Sequence, residues 1–217
     1  MGINNQHIHC WVGPILNKKQ VQPILDRLPV KLTESLSSKG PTTIHQASNS
    51  LAWRYACVQQ LFKCPIEKIQ FKVSEKGKPL LFIGSNEWFI SISHTRKWLA
   101  IAISDTPIGI DIERTNRPIS DALIDRYVDP GISKPLSHDD KLKLWTQWEA
   151  YCKATGTGLV FPIQRLAQNQ VRHLALSNLV GSLASTHSIS EHTIQLNQSG
   201  WPDSAALGPH DSLQSSH

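Results

Sequence analysis

The chain has 217 residues, 40% hydrophobic and 18% charged, enough for one large domain or two small ones with a real hydrophobic core. Its longest purely apolar run, Trp98 to Ile103, is far shorter than the ~20 residues of a membrane helix, so no transmembrane segment is expected. A net charge of +5 suits an anionic partner, but the 22 Lys and Arg are dispersed without a basic run and equally describe an ordinary solvated surface.

The N-terminal "MGINNQHIHCWVGPIL" lacks the basic and apolar regions of a secretory signal, and position 6 is Gln where a myristoylation signal needs Ser or Thr. Within it "HIHCWV" alternates like a strand. Alternation puts His7 and His9 on one face and Cys10 on the other, which argues against a zinc site. A polar segment broken by Pro14, Pro23, Pro29 and Pro41 follows. From Asn49 to Phe62 the apolar positions Leu51, Tyr55, Val58, Leu61 and Phe62 predict a helix capped by Asn49 or Ser50 and ending before Pro65. Arg54 lies on it, placed either to reach an anion or to be solvated.

"IQFKVS" reads as a strand and "EKGKP" as a turn, whose Gly77 and Lys78 could hold a phosphate or simply turn the chain. Three strands, "WFISIS", "WLAIAIS" and "IGIDIE", joined by "HTRK" and "DTP", predict an antiparallel meander. Ser93 and His94 close the first of them, as structural hydrogen-bonding residues or as ligands. In the third, alternation sends Ile108, Ile110 and Ile112 one way and Gly109, Asp111 and Glu113 the other. Two carboxylates about 6.6 Å apart on one face repel by on the order of 2 to 3 kcal/mol at an effective dielectric near 20. Solvent would screen that repulsion; a cation would remove it.

A helical segment is expected at Asp121 to Tyr127, and a stronger one from about Asp139 to Ala154, with acids at its start and "TGTG" as its stop. On it Glu149 and Lys153 share a face at i and i+4, beside an apolar stripe of Leu144, Trp145, Trp148 and Cys152. A surface ion pair would look the same. Short strands are expected near "QVRHLAL" and "HTIQL", and a mobile tail from about residue 201. Cys10, Cys57, Cys64 and Cys152 show no C-x-x-C spacing and read as reduced thiols of a cytoplasmic protein.

In order and spacing, "GKP", "SISH", "IGIDIE" and "WTQWEAYCKATGTGL" resemble the 4'-phosphopantetheinyl transferases of the larger, surfactin-synthetase-activating type, over about residues 50 to 160. The resemblance implies an α+β fold of two similar halves, about 1–105 and 106–217, forming a pseudo-dimer with the active site in the cleft between them. It implies an enzyme that moves the phosphopantetheine arm of coenzyme A onto a serine of an apo acyl, peptidyl or aryl carrier protein, releasing adenosine 3',5'-bisphosphate. Such carriers serve fatty-acid, polyketide or nonribosomal-peptide synthesis.

By the same resemblance Asp111, Glu113 and Glu149 are the acids that bind Mg²⁺, with Mn²⁺ as an alternative. Glu149 or a metal-bound water takes the serine proton, and Lys153 contacts the pyrophosphate. Ser93 and His94 meet the 3'-phosphate end of coenzyme A, and Arg54, Gly77 and Lys78 make further coenzyme A contacts. A monomer is implied, with neither nucleic acid nor membrane as partner. One departure stands out: the family carries Lys directly before the helix glutamate, where this chain has Trp148. That oddity motivates an alternative, an inactive relative that binds coenzyme A or carrier proteins without transfer.

Overall fold

The structure of the protein, a computed structural model, describes residues 7–37, 40–75, 77–127, 135–158, 168–190 and 193–198. The expected tail from about 201 lies outside the described residues. The fold is mixed α+β, and the chain divides into two compact units, Met1–Pro14 with Gln70–Gly200 and Ile15–Ile69 with Trp201–His217.

The second unit is helical: α1 (Lys18–Leu25), α2 (Val30–Ser37) and α3 (Pro41–Phe62). The prolines that suggested an irregular segment mostly punctuate these helices. Pro29 precedes α2 and Pro41 opens α3, where a missing N–H removes no helical hydrogen bond. α3 therefore starts well before the expected Asn49. Instead of capping, Asn49 is fully buried inside the helix, accepts from Leu16 N–H at 2.8 Å and donates to Leu16 O at 3.0 Å. It ties the chain ahead of α1 to α3. The helix stops at Phe62, as expected, with Lys63 in the left-handed region.

The first unit holds two sheets. β1 (Ile8–Pro14), β2 (Ile69–Val73), β3 (Pro79–Ile83), β4 (Asn86–His94), β5 (Trp98–Ser104) and β9 (Ile194–Asn197) form a six-stranded sheet of order β2-β3-β4-β5-β1-β9. β6 (Ile108–Arg114), β7 (Val171–Leu174) and β8 (Leu179–Ser185) form a three-stranded sheet of order β6-β8-β7. The strand at Ile108–Arg114 thus does not complete the expected meander. β1 takes the free edge of β5, pairing Ile8 with Ser104 through to Pro14 with Trp98. β6 crosses over and pairs with β8 instead, Asp111 opposite Ser182.

The alternation of β6 is used on both faces. Ile108, Ile110 and Ile112 are buried against Ile8, Cys10, Val12, Ala100 and Ala102, filling the space between the sheets at about 2 kcal/mol per side chain. The opposite face receives α5 (His138–Thr155), which follows α4 (Asp121–Tyr127). Gly109 makes this possible: a Cβ there would lie 1.8 Å from Ala150 O. Ser137 caps α5 by accepting from Asp140 N–H, and Gly156, left-handed at φ 68, ends it.

Candidate active site

The face of β6 that carries the acids is covered by a helix, which changes their electrostatics. Asp111 is 2% exposed. Its Oδ1 accepts from Lys153 Nζ at 2.6 Å and from Ser93 Oγ at 2.8 Å. Lys153 also donates to Ile110 O at 3.2 Å, while its distance to Glu149 Oε2 is 3.9 Å. The lysine that helical spacing pairs with Glu149 is therefore the partner of Asp111. Asp111 Oδ2 is buried with no hydrogen-bond partner, an arrangement that costs about 1–3 kcal/mol unless something else occupies it.

Glu113 sits two residues on, at the more open end of the strand, and is ion-paired to Arg117. Glu149 arrives from α5. Burial, followed by the nearby Asp111 charge, pushes its carboxyl up to about 7, against the pull of Lys153. Burial also raises Glu113, with Arg117 acting in the opposite sense. Three carboxylates thus share two cations. Among the described residues no cluster of acid, His or Cys side chains stands ready-formed around a single point, because Asp111 and Glu113 each turn to their own cation.

The serines of "SISH" explain how β6 is held. Ser91 Oγ accepts from Ile110 N–H at 3.0 Å and Ser93 Oγ from Ile112 N–H at 3.2 Å, so the hydroxyls of β4 satisfy the strand edge that β8 leaves open. Ser93 is 5% exposed and its hydroxyl is committed to Asp111 and β6. His94, one residue on, is exposed.

Gly77, at φ 81, turns the chain between β2 and β3. From that turn Lys78 reaches α5 and donates to Ala154 O at 2.5 Å, a cation at the negative end of the helix dipole. Burial lowers its pKa. Lys78, Ile90, Ser91, Ile92, Glu149 and Lys153 border a cavity of about 420 Å³, which brings four polar groups to an apolar wall. Arg54 belongs to α3 in the helical unit, where its Nε donates to Ser50 O at 3.1 Å.

Trp148 does not face the acids. It is fully buried with Ile124, Trp145 and Cys152, its ring 5.2 Å from Tyr127 and 5.1 Å from Trp145, so position 148 fixes α4 on α5. Sequence reasoning missed two participants: Ser91, and Arg117. The signal for Arg117 was a cation four residues after Glu113, but off any helix that spacing carries no geometric meaning.

Residues 107–201 match the model of the 4'-phosphopantetheinyl transferase superfamily. Over this stretch, less than half of the chain, the likeness is to that superfamily. Named relatives agree: the 4'-phosphopantetheinyl transferase gsp of Aneurinibacillus migulanus is 32% identical over 120 residues, covering 48% of this chain and 45% of that protein. The transferase psf-1 of Bacillus pumilus is 30% identical over 111 residues, covering 48% and 47%. Sfp of Bacillus subtilis is 34% identical over 102 residues, covering 44% and 45%. The match spans less than half the length of each of these curated relatives.

The donor set fits the divalent ion such a site implies. Mg²⁺ takes carboxylate oxygens and substrate phosphates, and Asp111 Oδ2 is a buried carboxylate oxygen with no hydrogen-bond partner. Asp111, Glu113 and Glu149 are the residues that could hold it. No helix among the described residues is long and apolar enough to cross a membrane.

Proposed function

We propose that the protein transfers the 4'-phosphopantetheine arm of coenzyme A to a serine of an apo acyl, peptidyl or aryl carrier protein. The observation that carries this reading is the β6–α5 contact: a buried Asp111 with one unpaired oxygen, flanked by Glu113, Glu149 and Lys153 within the segment that matches the superfamily. The serine hydroxyl attacks the β-phosphate, the new P–O bond forms, and the bond to adenosine 3',5'-bisphosphate breaks. A bound Mg²⁺ would offset charge on the phosphoryl oxygens.

The chain's own residues divide the remaining work. Lys153, fixed by Asp111, presents its ammonium beside the cavity that we assign to the pyrophosphate. No cation among the described residues comes closer to Glu149 than Lys153 at 3.9 Å, which favours Glu149 as the group that takes the serine proton. Gly77 and Lys78 would line the coenzyme A path, with Arg54 a further contact. His94 would meet the 3'-phosphate, and Ser93 would act chiefly by holding Asp111.

The change of sheet between Ser104 and Ile108 supports two halves divided near residue 105, while β9 returns to the sheet of the first half; a cleft between the halves is part of the proposal. An acidic protein partner suits the helical segment: residues 15–69 carry eight Lys and Arg against three Asp and Glu, an excess equal to the chain's net +5. We also assign it to the cytoplasm as a monomer; Cys10, Cys57, Cys64 and Cys152 form no disulfide bond among the described residues.

The test is mass spectrometry of a panel of apo carrier proteins incubated with the protein, coenzyme A and Mg²⁺ or Mn²⁺. A gain of one phosphopantetheine arm, abolished by EDTA, is expected. No gain on any carrier, with coenzyme A binding retained, would leave the inactive relative as the better reading.

A further inference from the structure

Arg117 is unlike the other cation of the site. Lys153 belongs to the last turn of α5 and bonds both Asp111 and the Ile110 carbonyl of β6, so it is part of the β6–α5 contact. Arg117 stands in a turn beyond the strand, its N–H donating to Arg114 O at 2.9 Å. The loop behind it is pinned where His138 Nε2 meets Thr115 O at 3.0 Å. Its guanidinium lies 5.1 Å over the Trp145 ring, on the packed cluster that also holds Trp148 and Tyr127. Arg117 and Glu113 are 29% and 21% exposed, so the pair stands at the rim, where partners can exchange.

We infer that Arg117 is the resident counter-ion of Glu113, a positioning residue that occupies this carboxylate until a divalent cation takes it. The inference rests on the metal-binding reading of Asp111, Glu113 and Glu149. A carboxylate oxygen engaged by guanidinium is not available to a metal, and the three acids do not surround a common point as they stand. Asp111 already offers a vacant oxygen, whereas Glu113 must give up a partner. The Trp145 ring gives the guanidinium a second place to rest, so release of the carboxylate does not strand it. Arg117 therefore sets the concentration of divalent cation at which the site fills.

The experiment is Mn²⁺ titration followed by electron paramagnetic resonance, using the full chain without substrate. Arg117→Met keeps an apolar stem over Trp145 and removes the charge; Arg117→Lys keeps the charge. R117M is expected to bind Mn²⁺ about 5- to 10-fold more tightly than wild type, with R117K close to wild type. In thermal unfolding, R117M is expected to melt below wild type in EDTA and to gain more from Mg²⁺ than wild type does. Unchanged or weaker Mn²⁺ binding by R117M, with wild type binding normally, would overturn the inference alone. Failure of wild type to bind Mn²⁺ would overturn the metal assignment and the inference with it.

Discussion

Asp111, in the middle of β6, and Glu113, near its end, are acids of the same face that solve the same problem differently. Gly109 lets the backbone of α5 settle onto the strand, and the burial that results locks Asp111 between Lys153 and Ser93. Further along the strand Glu113 is partly exposed and takes its cation from a turn resting on Trp145. A buried position gives a fixed acid; a partly exposed one gives an exchangeable acid.

The sharpest way to break this comparison is to fill the space at Gly109. Gly109→Val would drive side-chain atoms into Ala150 O and Ala154 N and push α5 off the strand. A loss of at least about 3 kcal/mol, read by urea unfolding, is expected, with loss of transfer. Retention of both would mean that the helix does not need to lie so close. Asp111→Asn is next. Turnover is expected to fall by at least about 100-fold, and stability by about 2–4 kcal/mol, because Lys153 keeps its burial and loses its charge partner. A variant with wild-type kcat would remove Asp111 from the site. Ser93→Ala should cost about 1–2 kcal/mol, since Ile112 N–H and Asp111 Oδ1 both lose a partner. If S93A instead raised KM for coenzyme A with stability intact, Ser93 would be a ligand contact after all.

Much of this site was legible because it depends on short-range periodicity. Alternation placed Asp111 and Glu113 on one face, and the helical repeat brought Glu149 and Lys153 together. What alternation could not supply was the partner across the fold. The meander failed because β1, ninety residues upstream, competes for the edge of β5. β8, "LVGSLAS", escaped notice because its Gly, Ala and Ser show no bulky alternation, yet small residues are what a strand under α5 requires. α1 and α2 were hidden by prolines, and Trp148 looked anomalous only until its packing on Tyr127 and Trp145 was visible.

The central claim is that three carboxylates, Asp111 buried and Glu113 and Glu149 partly buried, share two cations. Its most direct test is stability against pH, with and without Mg²⁺, for wild type and Glu149→Gln. A folded-state pKa of about 7, above the ordinary 4.5, means that the native protein binds more protons than the unfolded chain between those values. Metal-free wild type should therefore lose on the order of 2 kcal/mol as pH rises from about 4.5 to 7 relative to E149Q. His9 and His173, lowered by burial, act in the opposite sense near pH 6 but equally in both proteins. Mg²⁺ should restore the loss above pH 7 in wild type and much less in E149Q. Parallel pH profiles for the two proteins, unmoved by Mg²⁺, would contradict the account.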